Sequence, residues 1–158
     1  MKFTSQEEYG LRCLLRIAKF NRINKSLTIP EISQIEGISQ HNVAKLLRTL
    51  RIGGFLESSR GQIGGYTLAK LPEKIVLSNV LECLGGRLFE EDEFCNTHTG
   101  AESICTNTID CSVRSLWRIL QDSVDGVLKK TTLKDLMGTQ QSLEFKIGSK
   151  LNSLLPSN

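Results

Sequence analysis

The chain has 158 residues, of which 39% are hydrophobic and 23% charged, as in an ordinary globular protein with a modest core. The first residues lack the apolar run of a secretory signal, and no apolar stretch approaches the roughly 20 residues of a membrane span, so we expect a cytoplasmic protein with no membrane partner. The net charge of +3 is uneven: residues 1–70 carry 11 Lys and Arg against 5 acidic residues, and residues 71–158 carry 9 against 12. A basic N-terminal half suits a phosphate-binding surface.

A helix is predicted over about residues 5–21, because apolar residues recur there at the i, i+3, i+4, i+7 spacing of one helix face. These residues are Leu11, Leu14, Leu15 and Ala18. Ser5 followed three residues later by Glu8 matches a capping box, so Ser5 is predicted to cap the helix.

A second, short helix is predicted to begin near Thr28, with Pro30 in its first turn, and to end at Gly37. Glu31 completes a capping box with Thr28, and Ile32 and Ile35 are expected to face inward. Ser39 is predicted to cap a third helix that runs to Gly53-Gly54. Its apolar stripe has the same spacing as the first: Val43, Leu46, Leu47 and Leu50.

Two helices joined by Gly37-Ile38-Ser39 indicate a helix-turn-helix, and the segment that follows indicates a wing. Residues 55–59 and 66–69 are predicted to pair as a β-hairpin around a basic, glycine-rich loop. The first 70 residues therefore predict a winged helix-turn-helix domain.

The polar outer face of the third helix is the candidate DNA-reading surface, since a recognition helix reads base edges in the major groove. Its members are Ser39, Gln40, His41, Asn42, Lys45 and Arg48. In the wing, Arg60 could enter a narrow minor groove while Gly61 allows close approach of the backbone. The alternative is a solvated helix face in a protein–protein module.

Residues 71–111 are predicted to hold a connecting helix, over about residues 78–84, and a polar loop with three cysteines. Cys95, Cys105 and Cys111 are spaced C-x9-C-x5-C, and three thiols on one polar loop can converge on a soft metal centre. Spacing alone leaves open a zinc site in which His98 is the fourth ligand. Cys13 and Cys83 lie in apolar helices and are expected to be core residues.

A long helix is predicted over about residues 112–130, with apolar residues spaced 4, 3, 4, 3 as in a coiled-coil seam. The seam consists of Val113, Trp117, Leu120, Val124 and Val127. Thr132 is expected to cap a last turn, and residues 112–137 form the predicted dimerisation helix and its cap. The tail, residues 138–158, has no clear pattern.

Several of these segments are similar to the Rrf2 family of winged-helix regulators. The resemblance lies in the opening Met1-Lys2-Phe3-Thr4 with Tyr9, the Gly37-Ile38-Ser39 turn, residues 50–56 and above all the wing, residues 59–68. It covers about residues 1–137. It implies a homodimer crossed through the long helix, and a [2Fe–2S] or [4Fe–4S] cluster ligated by the three cysteines.

Two departures from the family pattern concern the cluster. The nine residues between the first two cysteines exceed the usual five to seven, and Arg114 stands where IscR-like members have a histidine ligand. In NsrR-like members an acidic residue near the N-terminus of the other subunit completes the cluster, and Glu8 matches that position. His98, or a small molecule or water, is the alternative fourth ligand.

The fold predicted is therefore mainly α with a small β-hairpin: a winged helix-turn-helix and a long dimerisation helix. The predicted function is cluster-dependent regulation of transcription at an inverted-repeat operator, in response to iron or cluster status, redox or nitric oxide. The alternative is a zinc or thiol-redox regulator on the same fold. An enzyme is not expected, because the sequence has no nucleophile–base pair, phosphate-binding glycine loop or H-E-x-x-H motif.

Overall fold

The computed structural model describes residues 4–59, 61, 64–86 and 110–152, with side chains up to residue 149. Three helices come first: α1 (Ser5–Asn21), α2 (Ile29–Glu36) and α3 (Gln40–Ile52). Strands β1 (Leu56–Ser59) and β2 (Gly65–Leu68) follow, then a short 3-10 turn (Pro72–Lys74) and α4 (Leu77–Gly85). The last elements are α5 (Ser112–Leu128), α6 (Leu133–Leu136) and α7 (Gln140–Asn152). The predicted class, mainly α with one hairpin, is confirmed.

Helix α1 has the predicted bounds but a different cap. Ser5 is its first helical residue, so Thr4 is the N-cap: its side chain accepts from the Glu7 amide at 3.3 Å, and Glu7 Oε2 accepts from the Thr4 amide at 2.6 Å. The capping box predicted for Ser5 and Glu8 is therefore wrong by one residue. Glu7 is buried in this role, whereas Glu8 is exposed.

The helix-turn-helix forms as predicted, with α2 capped by Thr28 and Glu31 and ended by Gly37 at a φ of 68°. Positive φ favours glycine there because it has no Cβ. The expectation that Ile35 faces inward is wrong, since it is 41% exposed. The short helix meets the core through its first turn instead, where Ile29 packs against the core and Ile32 is fully buried.

The wing is tied to α1 and to the segment that precedes α2. Strands β1 and β2 pair antiparallel with Leu56 opposite Leu68, and Leu27 adds a bridge to Tyr66. The Leu68 amide also donates to Asn21 Oδ1 at 2.8 Å, at the end of α1. The base of the wing is thus fixed to the helices.

The last turn of α4 packs closely against α1 and the end of α3, and at each of three contacts a side chain lies directly against a glycine. A Cβ at Gly10 would lie 2.5 Å from Leu84, one at Gly53 would lie 2.5 Å from Cys83 Sγ, and one at Gly85 would lie 2.7 Å from the Glu7 carboxyl. Real Cβ atoms do not approach so closely, so these positions require small residues for the helices to pack at this distance.

After α5 the chain returns to the winged helix-turn-helix domain, which we call the winged head. The Leu77 amide donates to the Thr131 carbonyl at 2.9 Å, and the Leu133 amide donates to the Ile75 carbonyl at 2.8 Å. Leu133 is fully buried in the same core as α1 and α3, and Thr132 and Asp135 form the cap expected for this turn. The C-terminal end of α5 is therefore anchored. Within the part of the chain described, none of the helices is long and apolar enough to cross a membrane.

Candidate nucleic-acid interface and cysteine site

Helix α3 has a buried apolar stripe and an exposed polar face, and of its apolar residues Ile52 at the C-terminal end is 73% exposed. The four residues of its apolar stripe are no more than 5% exposed, and the polar residues predicted to read DNA all lie on the exposed side. These exposed residues are Ser39, Gln40, His41, Asn42, Lys45 and Arg48. The Ser39 hydroxyl is already used, because it caps α3 by accepting from the Asn42 amide at 3.3 Å.

The cations on this face have no acidic partner among the described residues. No ion pair between those residues involves Lys45, Arg48 or Arg51. Unpaired Lys and Arg side chains beside exposed amides provide the charge and the hydrogen-bond donors that phosphate and base edges require. The face is chemically suited to nucleic acid.

The wing loop is only partly described. Arg60, the predicted groove contact, lies outside the described residues. Gly61 has a φ of 111°, a conformation that L side chains rarely adopt, and its carbonyl accepts from the Gly64 amide at 2.9 Å.

A partly exposed ion-pair cluster holds α2 against α1, and the sequence patterns did not indicate it. The Glu36 side chain, 7% exposed, accepts from Arg12 Nε at 3.0 Å and from Arg16 Nε at 2.7 Å. Arg12 also donates to the Glu36 carbonyl at 2.7 Å. The i, i+4 spacing of the two arginines indicates that they lie on the same face of α1, but it does not identify Glu36, which lies on another helix. This cluster fixes the helix that immediately precedes the turn into α3.

One of the three candidate cysteine ligands is described, at the N-terminus of α5. Cys111 is half-buried and is the N-cap, where its Sγ accepts from the Arg114 amide at 3.3 Å. Cys95, Cys105 and the alternative ligand His98 lie outside the described residues. Among the residues that the structure describes, no three candidate metal ligands converge.

The other two cysteines differ from each other. Cys13 is fully buried, as expected for a core residue, and this burial raises the pKa of its thiol to about 12. Cys83 is only half-buried, so the expectation of a core residue is met in part. Its Sγ lies 3.5 Å from the Thr49 carbonyl near the end of α3, and burial raises the pKa of this thiol also.

Glu8, the candidate fourth ligand, has an exposed side chain with no hydrogen bond or ion pair to the described residues. It follows Glu7, which contacts Gly85, and Gln6, whose side chain donates to the Leu84 carbonyl. The N-terminus of α1 thus packs on the end of α4, where the chain continues into the cysteine segment. Because Glu7 completes the capping box, the carboxylate of Glu8 is not needed to cap α1.

Helix α5 leaves much of its apolar surface uncovered. Of the predicted seam, Val113 is 53% and Leu120 36% exposed, while Trp117, Val124 and Val127 are half-buried. Leu116 and Ile119 are 52% and 62% exposed and widen the stripe beyond the predicted seam. The one buried residue of the helix is polar: Gln121, whose amide donates to Asp125 at 2.7 Å.

This arrangement of a winged head and a long apolar helix matches known regulators. A family model described as "Rrf2: Iron-dependent Transcriptional regulator" matches residues 3–139. The chain belongs to the Rrf2 family. It is accordingly a transcriptional regulator with a DNA-binding winged helix, and its relatives are regulators and not enzymes.

Individual relatives of this Rrf2 regulator carry different names. It is 30% identical to the HTH-type transcriptional regulator IscR of Photorhabdus laumondii, over 91% of this chain and 84% of that protein. It is 34% identical to Protein rrf2 of Nitratidesulfovibrio vulgaris, over 87% of each. The solved structure of CymR, "the Global Cysteine Regulator of B. subtilis", superposes with a TM-score of 0.69 at 27% identity, over 87% of this chain and 96% of that chain.

Proposed function

We propose that the chain is an iron–sulfur cluster-dependent regulator that acts in the cytoplasm and senses iron or cluster status, redox or nitric oxide. The observation that carries this proposal is the position of Cys111 as the N-cap of α5, with its sulfur accepting an amide hydrogen bond. Amide hydrogen bonds to a ligating sulfur are characteristic of cluster sites and tune their potential. Cys111 is therefore suited to ligate a cluster, which we propose that it holds together with Cys95 and Cys105.

A bound cluster would supply iron that reacts with oxidants and nitric oxide. The protein must then transmit a structural change at Cys111 to the winged head, which carries the DNA-reading face. Cys111 begins α5, and the far end of α5 is anchored to the head through Thr131 and Leu133. Any such signal must stabilise one DNA-binding arrangement of the heads more than another.

Glu8 is the proposed fourth ligand, contributed by the other subunit, with His98 as the alternative. Support for Glu8 comes from its exposed carboxylate, which has no partner among the described residues and lies beside the joint between α1 and α4. A carboxylate ligand from a second chain would make cluster binding depend on dimerisation.

The proposed assembly is a homodimer joined through the apolar face of α5. Exposed Val113, Leu116, Ile119 and Leu120 form a contiguous stripe, and stripes of this kind on monomeric proteins commonly mark interaction sites. Two winged heads related by a two-fold axis would then bind an inverted-repeat operator.

A zinc or thiol-redox regulator on the same fold is the second candidate. Relatives include the cysteine regulator CymR, so family membership leaves the signal open. In this chain the half-buried Cys83 lies against Thr49 and Gly53 at the end of α3, where modification of its thiol would disturb the recognition helix directly.

The absorption spectrum of anaerobically purified protein, with iron and sulfide analysis, separates the two candidates. The cluster proposal predicts brown protein with charge-transfer bands, whose colour is largely lost on replacing Cys95, Cys105 or Cys111 with Ala. Cys83→Ala is the matched control and should keep the colour. Stoichiometric zinc without sulfide would overturn the cluster.

DNA contacts are tested by a salt titration on operator and random DNA. Arg60→Ala should weaken operator binding by roughly 1–3 kcal/mol if Arg60 reads a base or a narrow groove. Lys45→Ala should weaken binding to both DNAs alike and flatten the salt dependence by about one unit, as expected for a phosphate contact. Operator binding by Arg60→Ala as tight as that of the parent would show that the wing does not make this contact.

A further inference from the structure

A groove of about 150 Å³ separates the start of α1 from the exposed face of α3. Its lining comes from both helices: Ser5, Gln6, Tyr9, Asn42, Lys45 and Leu46. Leu46 is 5% exposed and forms an apolar floor, while Lys45 is exposed. The groove therefore continues the candidate DNA-reading face onto α1, a helix that the sequence patterns did not connect with DNA.

The chemistry of the groove favours an anion. None of the described residues that line it is acidic, and Lys45 forms no ion pair with any described residue. The Tyr9 and Ser5 hydroxyls and the Asn42 amide can donate hydrogen bonds beside that cation. Hydroxyl, amide and ammonium donors of this kind make most protein contacts to DNA phosphates.

Contacts with Arg12 and with the hydrophobic core hold the Tyr9 ring in place. The Arg12 guanidinium lies 5.7 Å from the centroid of the Tyr9 ring, and Arg12 is itself fixed by its hydrogen bonds to Glu36. The Tyr9 ring also packs against the hydrophobic core. A hydroxyl on a ring fixed in this way loses little conformational freedom when it binds an oxyanion, which favours binding.

We propose that this groove binds one backbone phosphate of the DNA, with Tyr9 and Lys45 as its principal donors. The inference rests on the proposed function and deepens it, because it adds α1 as a third DNA-contacting element. Phosphate contacts fix the register of a protein on the duplex without reading sequence. Tyr9 is thus assigned as a positioning contact for α3.

The test pairs Tyr9→Phe with operator DNA in which single phosphates are replaced one at a time by neutral methylphosphonate. Tyr9→Phe should weaken binding to operator and random DNA alike, by roughly tenfold for a hydrogen bond to a charged group, and should leave the salt slope unchanged. At one methylphosphonate position the parent and Tyr9→Phe should bind equally, because the acceptor of that hydrogen bond is gone.

Tyr66→Phe is the matched control, since Tyr66 is the only other tyrosine and does not line the groove. Its effect, if any, should not disappear at the same phosphate. Equal melting temperatures of Tyr9→Phe and the parent would exclude a folding defect as the cause of weaker binding, and Lys45→Ala should show its loss at the same or the adjacent phosphate.

Two outcomes overturn the assignment. Unchanged DNA affinity of Tyr9→Phe, with the parent binding its operator, would remove Tyr9 from the interface and leave the proposed function intact. Weaker binding that persists at every methylphosphonate position would mean that Tyr9 acts elsewhere. A parent chain that binds no DNA would instead refute the proposed function itself.

Discussion

Helices α3 and α5 are both amphipathic, yet their apolar stripes have different surroundings. In α3, Val43, Leu47 and Leu50 are fully buried against the rest of the winged head. In α5, Val113 and Ile119 remain more than half exposed. The head therefore completes its core within one chain, whereas α5 presents an apolar face that the described residues leave exposed.

The apolar stripe of α3 thus serves the folding of one chain, whereas we propose that the apolar stripe of α5 serves assembly. The head has a core to which α1, α3, α4 and Leu133 contribute, and its helix ends are capped locally. The face of α5 is consistent with coverage by a second copy, because exposed apolar stripes of this kind are otherwise aggregation-prone. Four sets of substitutions test the contrast, in order of decreasing expected effect.

Leu120→Asp should produce the largest change, by placing an unpaired carboxylate in the proposed dimer interface at a cost of several kcal/mol of association. Light scattering should then give a monomeric mass where the parent gives a dimeric one. Ile23→Asp is the matched control, because Ile23 is 70% exposed on the head and lies outside α5. A dimeric Leu120→Asp protein, or a monomeric parent, would contradict the interface.

Gly10→Ala tests how tightly the head is packed. The added Cβ would lie 2.5 Å from the buried Leu84, so we expect a net loss of about 1–2 kcal/mol in the free energy of unfolding, from overpacking that outweighs the gain in helix propensity. Gly148→Ala on α7 has nothing within 4 Å of the added Cβ and should instead stabilise the chain slightly. Urea unfolding of both variants checks this, and equal effects at the two positions would argue against the close packing of α1 on α4.

Glu7→Ala and Glu8→Ala separate the cap from the proposed ligand. Glu7→Ala removes the acceptor for the Thr4 amide and should cost about 1 kcal/mol of stability, visible as earlier melting. Glu8→Ala should lose less stability but alter the cluster spectrum or its reactivity with nitric oxide. If the cluster is unchanged in Glu8→Ala under both tests, Glu8 is not a ligand.

Glu31→Gln should have the smallest effect, and one that depends on pH. Hydrogen bonds from the Thr28 amide and hydroxyl hold the pKa of the Glu31 carboxyl below its usual value, so the ionised cap stabilises α2 above the pKa of the unfolded chain. That contribution is lost as the pH falls through the lower, folded-state pKa. The stability difference between parent and variant should therefore be present at neutral pH and shrink below about pH 4. Equal differences at both pH values would exclude a titrating cap.

The sequence predicted the elements whose signals are local. The bounds of α1, the capping box of Thr28 and Glu31, the turn at Gly37 and the stripe of α3 are all confirmed. Each depends on residues within one or two turns of each other, through helix periodicity or a cap. Helix α7 was missed because its sequence has no clear apolar face, although its contacts with α5 and α6 support it.

At the N-terminus of α1 the sequence pattern does not identify the capping residue uniquely. Thr4 with Glu7 and Ser5 with Glu8 both fit the same S/T-x-x-E pattern. Packing decides between them, because Glu7 fits against Gly85, where a residue with a side chain would leave no room for its carboxyl. The same shift of one residue leaves Glu8 exposed and available as a ligand.

By itself the sequence thus determined the helices α1 to α6, where the wing lies and which face of α3 stays polar, since these follow from backbone geometry and the burial of nearby apolar side chains. Only the tertiary structure decided the pairing of Arg12 and Arg16 with Glu36, the groove between Tyr9 and Lys45, and the contact of Cys83 with α3. These contacts join residues that are far apart in the chain. Their geometry depends on the packing of whole helices, which sequence spacing does not encode.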